Sequence, residues 1–107
     1  MKKIIHVNGD KSCSPNDIVI GYVGEKNVDS IIIQLDESLP EMKYFLLVGN
    51  KIYPFIDNEL KINEILTSEK GVLKVSIVGS NAKSNQPITS GSLFFHSDNI
   101  ILRVREN

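Results

Sequence analysis

Apolar residues in this 107-residue chain occur in short runs, and turn-forming residues separate one run from the next. Isoleucine and valine dominate the runs, and β-branched side chains fit the pleated surface of a strand better than a helix. Glycine, asparagine, aspartate, serine and proline cluster between the runs, where they favour turns. Many short strands at regular spacing are typical of a sandwich or barrel, so the pattern predicts an all-β fold.

The runs also place the individual strands. The clearest is Gly71 to Gly79, in which Leu73, Val75 and Ile77 alternate with polar residues, so we expect a central strand with these three in the core. About seven to nine short strands are expected in one antiparallel β-sandwich, immunoglobulin-like or jelly-roll-like, with residues 1–107 as a single domain. The other predicted strands are Lys3 to Val7, Asp17 to Val23, Ser30 to Leu35, Lys43 to Val48, Lys51 to Ile56, Glu59 to Ile62, Ser92 to His96 and Ile100 to Arg105.

Two short connectors predict hairpins. The polar stretch Gly24 to Asn27 separates the second and third strands, which predicts that those two strands pair with each other. Gly49 and Asn50 form the second connector, between the fourth and fifth strands. Two further segments are predicted outside strands: a turn or single helical turn at Asn63 to Lys70, and a polar loop at Ser80 to Pro87.

The charge balance argues against two classes of partner. Lys and Arg total 12 and Asp and Glu total 13, a formal net charge of -1. Nucleic-acid binding shows as clustered positive charge, and anionic membrane surfaces also attract basic segments. The apolar runs are far shorter than the roughly 20 residues of a spanning helix, and His6, Asn8 and Asp10 interrupt any signal-peptide core. We expect cytoplasmic synthesis without a signal peptide, and neither nucleic acid nor membrane as a partner.

The sequence contains no pattern typical of a metal or catalytic centre. A zinc site requires three or four ligands, and His6, Cys13 and His96 lack the paired spacing of such sites. Cys13 lies in Lys11 to Asn16, predicted as a loop, and a catalytic thiol would also need a base and an orienting group. The acidic residues lie beside turns, where their side chains bond nearby backbone, and nothing favours a carboxylate pair for glycoside hydrolysis. We expect no enzymatic activity, no cofactor and no metal.

Two adjacent aromatic pairs, Tyr44–Phe45 and Phe94–Phe95, indicate a sheet covered on both faces. Because neighbours along a strand face opposite sides of the sheet, one member of each pair is expected in the core and the other exposed or at an interface. The strand Ile100 to Arg105 is expected at a sheet edge, where charged residues protect the edge or select a partner. The candidate interface residues are therefore Tyr44, Phe45, Phe94, Phe95, Arg103 and Arg105.

Two stretches resemble a known family. Ile20-Gly21-Tyr22-Val23-Gly24-Glu25-Lys26-Asn27, with the alternating strand that follows, resembles the opening of small β-sandwich domains in tail and baseplate proteins of phages of Gram-positive bacteria, similar to the N-terminal part of upper-baseplate proteins. The stretch Leu66 to Gly79 fits the same pattern, and the resemblance covers residues 17 to 105. That family has no catalytic motif, so the resemblance implies a structural protein of the virion. Its domain usually heads a longer chain, so a chain ending at Asn107 is expected to be a stand-alone accessory piece.

Two functional hypotheses follow. The first is a non-enzymatic structural module, a phage or prophage tail or baseplate accessory protein that mediates protein–protein assembly as a homo-oligomer or with other virion proteins. The second is a carbohydrate-binding module that contacts cell-wall glycan. The second would require a row of exposed aromatic rings or a concave acidic groove.

Overall fold

The computed structural model describes residues 2–22, 25–26, 30–62, 71–81 and 93–105, and these residues form eleven β-strands. The all-β prediction is confirmed, with more strands than expected because two predicted connectors contain two-residue strands, at Cys13–Ser14 and Glu25–Lys26. The predicted helical turn at Asn63 to Lys70 and most of the loop at Ser80 to Pro87 lie outside the described residues. The strands are β1 (Lys2–Val7), β2 (Cys13–Ser14), β3 (Asp17–Tyr22), β4 (Glu25–Lys26), β5 (Ser30–Leu35), β6 (Lys43–Val48), β7 (Lys51–Pro54), β8 (Glu59–Lys61), β9 (Gly71–Ser80), β10 (Leu93–His96) and β11 (Ile100–Arg105).

The strands form two sheets that pack face to face. The smaller has the order β2-β1-β5-β8, and the larger has the order β4-β3-β11-β9-β6-β7, with β10 also paired to β9. The sheets are mixed, because β1 pairs in parallel with β5 and β3 pairs in parallel with β11. The sandwich prediction is confirmed, whereas purely antiparallel pairing is wrong for these two pairs. Hydrophobic alternation assigns the faces of a strand but contains no information on its direction.

One of the two predicted hairpins is wrong. β3 and β5 lie in different sheets, and the connector between them supplies β4, whose residues Glu25 and Lys26 pair with Tyr22 and Gly21. The chain therefore crosses from one sheet to the other at this point. A short polar connector fits such a crossing as well as it fits a hairpin.

The second predicted hairpin is confirmed. Val48 pairs with Lys51 across Gly49 and Asn50, and Gly49 has a φ of 62°, a conformation that costs glycine little. A second two-residue turn follows at Asp57 and Asn58, whose φ values are 52° and 63°. Two backbone hydrogen bonds of 2.9 and 3.0 Å between Ile56 and Glu59 close this second turn. Two consecutive positive φ values are the signature of the type I′ turns that match strand twist.

β11 is a central strand rather than an edge strand, so that prediction is wrong. It lies between β3 and β9, and Ile100, Leu102 and Val104 are all buried. The arginines between them that suggested an edge lie instead on the outward face of the sheet. A strand with one buried and one solvent-exposed face has the same sequence pattern at the centre of a sheet as at its edge.

β9 organises the larger sheet. One edge of β9 pairs with β6, and the other edge pairs first with β11 and then with β10. Ser97 lies between β10 and β11 and bonds Ile77 of β9, which is paired with neither strand. The backbone N–H of Ser97 donates to the carbonyl of Ile77 at 2.8 Å, and the Ser97 hydroxyl accepts from the N–H of Ile77 at 2.8 Å. The predicted central strand is confirmed, with Val75 and Ile77 buried and Leu73 partly buried.

The core lies between the two sheets. Alternate residues of each strand point inward, so Ile5 and Ile33 of the smaller sheet pack in one cluster with Leu46, Ile77 and Leu102 of the larger. Cys13 joins this cluster, because part of the predicted loop Lys11 to Asn16 forms β2. The remaining members of the cluster are Val7, Ile18, Ile20, Ile31, Tyr44, Leu60, Ile62, Val75, Phe95, Ile100 and Val104.

Candidate interaction surface

A groove of about 420 Å³ lies at the end of the sandwich where β6 begins and β9 ends. Phe94 stands at this groove with 64% of its surface exposed, while its neighbour Phe95 is buried. A phenylalanine that is mostly exposed is unusual in a folded domain and marks a candidate binding position. We call this the Phe94 groove; it is lined by Pro40, Glu41, Met42, Asn81, Phe94 and Phe95.

Buried contacts fix the floor of the Phe94 groove. The rings of Tyr44 and Phe95 meet edge to face, with centroids 6.3 Å apart and an interplanar angle of 73°. The Tyr44 hydroxyl donates to the carbonyl of Pro40 at 2.8 Å, and burial raises the pKa of Tyr44, so this hydroxyl stays protonated at neutral pH. Gly79 leaves room for Met42 here, because a Cβ at position 79 would displace the Met42 side chain. The groove is therefore preformed by the core.

The two aromatic pairs differ in their exposure. Phe94 and Phe95 separate as expected, one exposed and one buried, but Tyr44 and Phe45 are both buried within the chain. Phe45 lies on the outward side of β6, where it pairs with Val78 of β9, which is also buried. Binding of a partner by any of these four aromatic residues remains a prediction.

Arg103 and Arg105 form a separate surface. Arg103 pairs with Val72 of β9. Val72 is seven residues along β9 from Gly79, which pairs with Phe95 at the Phe94 groove. At about 3.3 Å per residue, the arginines are therefore roughly 23 Å from the Phe94 groove. Val72 is 55% exposed. We call Val72, Arg103 and Arg105 the arginine patch.

The two arginines of this patch have different partners. Arg103 donates two hydrogen bonds to the carboxylate of Asp17, at 2.7 and 2.8 Å, and so ties β11 to β3. This bidentate contact holds the pKa of Asp17 below its usual value and raises the pKa of Arg103. Arg105 is exposed and forms no ion pair with any described carboxylate. The charge of Arg105 contributes to the lowered pKa of Asp17, but its guanidinium forms no hydrogen bond with a described side chain and can therefore bind a partner.

A third surface, which the residue pattern did not single out, lies on the outward face of the smaller sheet. The pairing register aligns Ile4 with Ile32, Ile32 with Glu59, and Glu59 with Ile56. Ile4 is 48% exposed and Ile56 is 71% exposed. We call Ile4, Ile32 and Ile56 the isoleucine row. The available signal was consecutive isoleucines, at positions 4–5 and 31–33, because such runs make both faces of a strand apolar.

Glu59 interrupts the isoleucine row, but neighbouring groups neutralise its charge. The Ser30 hydroxyl donates to its carboxylate at 2.6 Å, and the Lys2 ammonium lies 3.2 Å away. These contacts hold the pKa of Glu59 below its usual value, with the serine hydrogen bond as the larger cause. The row therefore lies on a face where the nearest carboxylate is already paired.

Two turn carboxylates are also held by hydrogen bonds. Asp10 accepts hydrogen bonds from the hydroxyl and the backbone N–H of Ser12, and Asp36 accepts from the hydroxyl of Ser38 and the N–H of Gly9. These bonds lower the pKa of both aspartates. They explain the acidic residues at these turns as backbone-ordering groups, as the sequence predicted.

The free energy of unfolding is expected to fall in acid. Asp10, Asp17 and Asp36 have lower pKa values in the folded chain than their ordinary values, so their stabilising contribution is complete above about pH 4 and is lost as the pH falls through the folded-state values. Urea titrations between neutral pH and strong acid measure this decline. Asp17→Asn is expected to make the decline shallower, and an unchanged profile in that variant would contradict the role of the Arg103 contact.

The side chains most suited to catalysis are not brought together. Among residues 2–22, 25–26, 30–62, 71–81 and 93–105, no three His, Cys, Asp or Glu side chains form a potential metal site. Burial raises the pKa of Cys13, which keeps its thiol protonated at neutral pH. His96 Nε2 lies 3.0 Å from the Ser76 hydroxyl. Because Ser76 is buried, its hydroxyl is not accessible as a nucleophile, and the contact is a structural hydrogen bond.

A search for membrane-crossing helices gives a negative result. Within the part of the chain that the structure describes, no helix has the length and hydrophobicity that a bilayer crossing requires.

Comparison with known proteins gives a single kind of match. No family model matches the chain, and no curated protein matches its sequence. Among solved structures, the N-terminal domain of phage TP901-1 ORF48 superposes with a TM-score of 0.58 at 12% sequence identity, over 99% of this chain and 98% of that one. At that identity the match establishes the fold alone, and it confirms at the level of fold the resemblance to a phage protein domain. The chain is an all-β sandwich with the fold of the N-terminal domain of phage TP901-1 ORF48.

Proposed function

We propose that the chain is a non-enzymatic structural module of a phage tail or baseplate, and that it acts by binding other virion proteins. Its fold is shared from end to end with a domain of a phage protein. Its exposed apolar side chains lie on strands or, for Ile56, beside one, and among the described residues the reactive side chains are buried or separated. These features suit a protein that binds other proteins better than one that transforms a substrate.

The isoleucine row is the observation that carries this proposal. Solvent-facing sheets of soluble domains normally present polar residues, whereas this face aligns three isoleucines across β1, β5 and the turn before β8. Fully burying an isoleucine stabilises a contact by about 1.5–3 kcal/mol. Ile4 and Ile56, both about half exposed or more, therefore offer a substantial part of that energy to a partner.

The test measures the amount of this protein in each phage particle. Particles of the phage that encodes the chain are purified, and the amount of chain in each is quantified by immunoblot. We expect stoichiometric incorporation of the wild type and a loss of about tenfold or more for Ile4→Ser combined with Ile56→Ser, because this change removes apolar surface from the contact.

The control for this test replaces a polar residue of the same face. Gln34 is exposed on β5, two residues from Ile32, and Gln34→Ser is expected to leave incorporation unchanged. Circular dichroism melts of all variants verify that they fold. Absence of the wild type from particles, or equal incorporation of the isoleucine double variant, would overturn the proposal.

The carbohydrate hypothesis finds less support. It requires a row of exposed rings or a concave acidic groove. Of the aromatic side chains that the structure describes, Phe94 is the one that is mostly exposed, and Glu41 is the one acidic residue in the lining of the Phe94 groove. A glycan array with the wild type and Phe94→Ala distinguishes the two functions. Specific glycan binding that depends on Phe94 would replace the assembly proposal.

A further inference from the structure

We propose that copies of this chain bind head to tail, with the arginine patch of one copy in the Phe94 groove of the next. This inference rests on the proposed function in assembly, and it adds the partner and the two surfaces that meet. It follows from the complementary chemistry of two surfaces at opposite ends of the same sheet.

The Phe94 groove presents apolar walls with a single negative charge. Phe94 and Met42 supply apolar surface, and Glu41 is exposed at the rim. No described cation lies within ion-pair distance of the Glu41 carboxylate. The groove therefore suits a ligand that combines an apolar side chain with a cation.

The arginine patch has that combination. Val72 is an exposed aliphatic residue on β9, and Arg105 follows Arg103 by two residues, so it lies on the same outward face of the sheet. Arg103 is already bound to Asp17, whereas Arg105 forms no ion pair with a described carboxylate and is available to a partner, as is Lys74, which is exposed two residues from Val72 on the same face. Val72 and Arg105 match the apolar wall and the carboxylate of the groove.

Charge decides between the possible arrangements of two copies. A groove-to-groove dimer would place Glu41 near the Glu41 of the other copy. A patch-to-patch dimer would place Arg105 near the Arg105 of the other copy. Like charges across an interface cost several kcal/mol, so both symmetric pairings are disfavoured. Joining groove to patch brings opposite charges together. Because groove and patch are distinct surfaces roughly 23 Å apart along β9, a copy that binds through one of them keeps the other open to the next copy.

Sedimentation velocity over a range of concentrations tests this proposal. The wild type is expected to form dimers and longer species as concentration rises. Glu41→Arg and Arg105→Glu are each expected to weaken association by about tenfold or more, because each places like charges in contact. The double variant carrying both changes restores an opposite-charge pair with its polarity reversed, and it is expected to regain association.

Matched controls change the same charges elsewhere on the surface. Glu37→Arg and Lys51→Glu alter exposed residues outside the groove and the patch, and both are expected to associate as the wild type does. Phe94→Ser removes the apolar wall without altering charge and is expected to weaken association as well. A wild type that stays monomeric at millimolar concentration, or a double variant that does not recover, would overturn the head-to-tail contact. Incorporation into phage particles that depends on the isoleucine row would then still support the proposed function.

Discussion

Val75→Asp is expected to prevent folding. Val75 lies in β9 with 2% of its surface exposed, and its backbone neighbours are Val48 of β6 and Ile100 of β11. An aspartate there would lie in the core without a hydrogen-bond partner, and burial of an unpaired carboxylate costs several kcal/mol. Because small domains are stable by only about 5–15 kcal/mol, this single change is large enough to remove the folded state.

Lys74→Asp is the matched control for this prediction. Lys74 is the preceding residue of the same strand, but it is exposed on the outward face. Circular dichroism and urea titration are expected to show a folded Lys74→Asp variant and an unfolded Val75→Asp variant. If Val75→Asp melts within a few degrees of the wild type, the assignment of this face to the core is wrong.

Ser97→Ala is expected to lower the free energy of unfolding by about 1–3 kcal/mol, the cost of leaving a buried backbone N–H without a partner. Ser97 is buried, and its hydroxyl accepts the hydrogen bond of the Ile77 N–H at 2.8 Å while donating to the carbonyl of Asp98 at 2.9 Å. Alanine removes both bonds. Ile77 lies where neither β10 nor β11 supplies a regular ladder bond, so no neighbouring strand replaces the lost acceptor.

Hydrogen exchange provides a local measurement of the Ser97 effect. The Ile77 amide is expected to exchange faster in Ser97→Ala than in the wild type, relative to amides elsewhere in β9. Ser38→Ala is a suitable control, because Ser38 is an exposed serine whose hydroxyl bonds a turn carboxylate. Equal exchange of the Ile77 amide in the wild type and in Ser97→Ala would show that the hydroxyl does not complete the ladder.

Strand positions were predictable because they depend on local pattern. Ser30–Leu35, Lys43–Val48 and Ile100–Arg105 form strands at the predicted residues. In each case a short run rich in apolar residues is bounded by turn-forming or polar residues. Neither signal requires knowledge of a distant part of the chain.

Strand partners were less predictable, because they depend on contacts between distant residues. β11 pairs in parallel with β3, and no local feature of either segment specifies that partner. The same reason explains the wrong hairpin between β3 and β5. A two-residue turn such as Gly49–Asn50 does specify its hairpin locally, and that hairpin was predicted correctly.

The candidate surfaces also depend in part on local pattern and in part on contacts between distant residues. Alternation along β10 predicted that Phe94 and Phe95 would differ in exposure, and they do. The isoleucine row required the register of β1 with β5 and of β5 with β8, which joins residues far apart in sequence. Exposure of Ile56 depended further on the turn at Asp57 and Asn58, whose closing pair places Ile56 beside Glu59.

The ion pair between Arg103 and Asp17 joins residues 86 positions apart, and the strands that carry them are adjacent in the larger sheet. On a ribosome, residues are exposed in order from the amino terminus, so β3 is available long before β11 is made. Until then, the edge of β3 that β11 occupies has no strand to pair with. The larger sheet can therefore close only after β11 has been made, and folding that depends on such distant contacts is slow. During that interval the unpaired edge of β3 is a position at which nascent chains can aggregate.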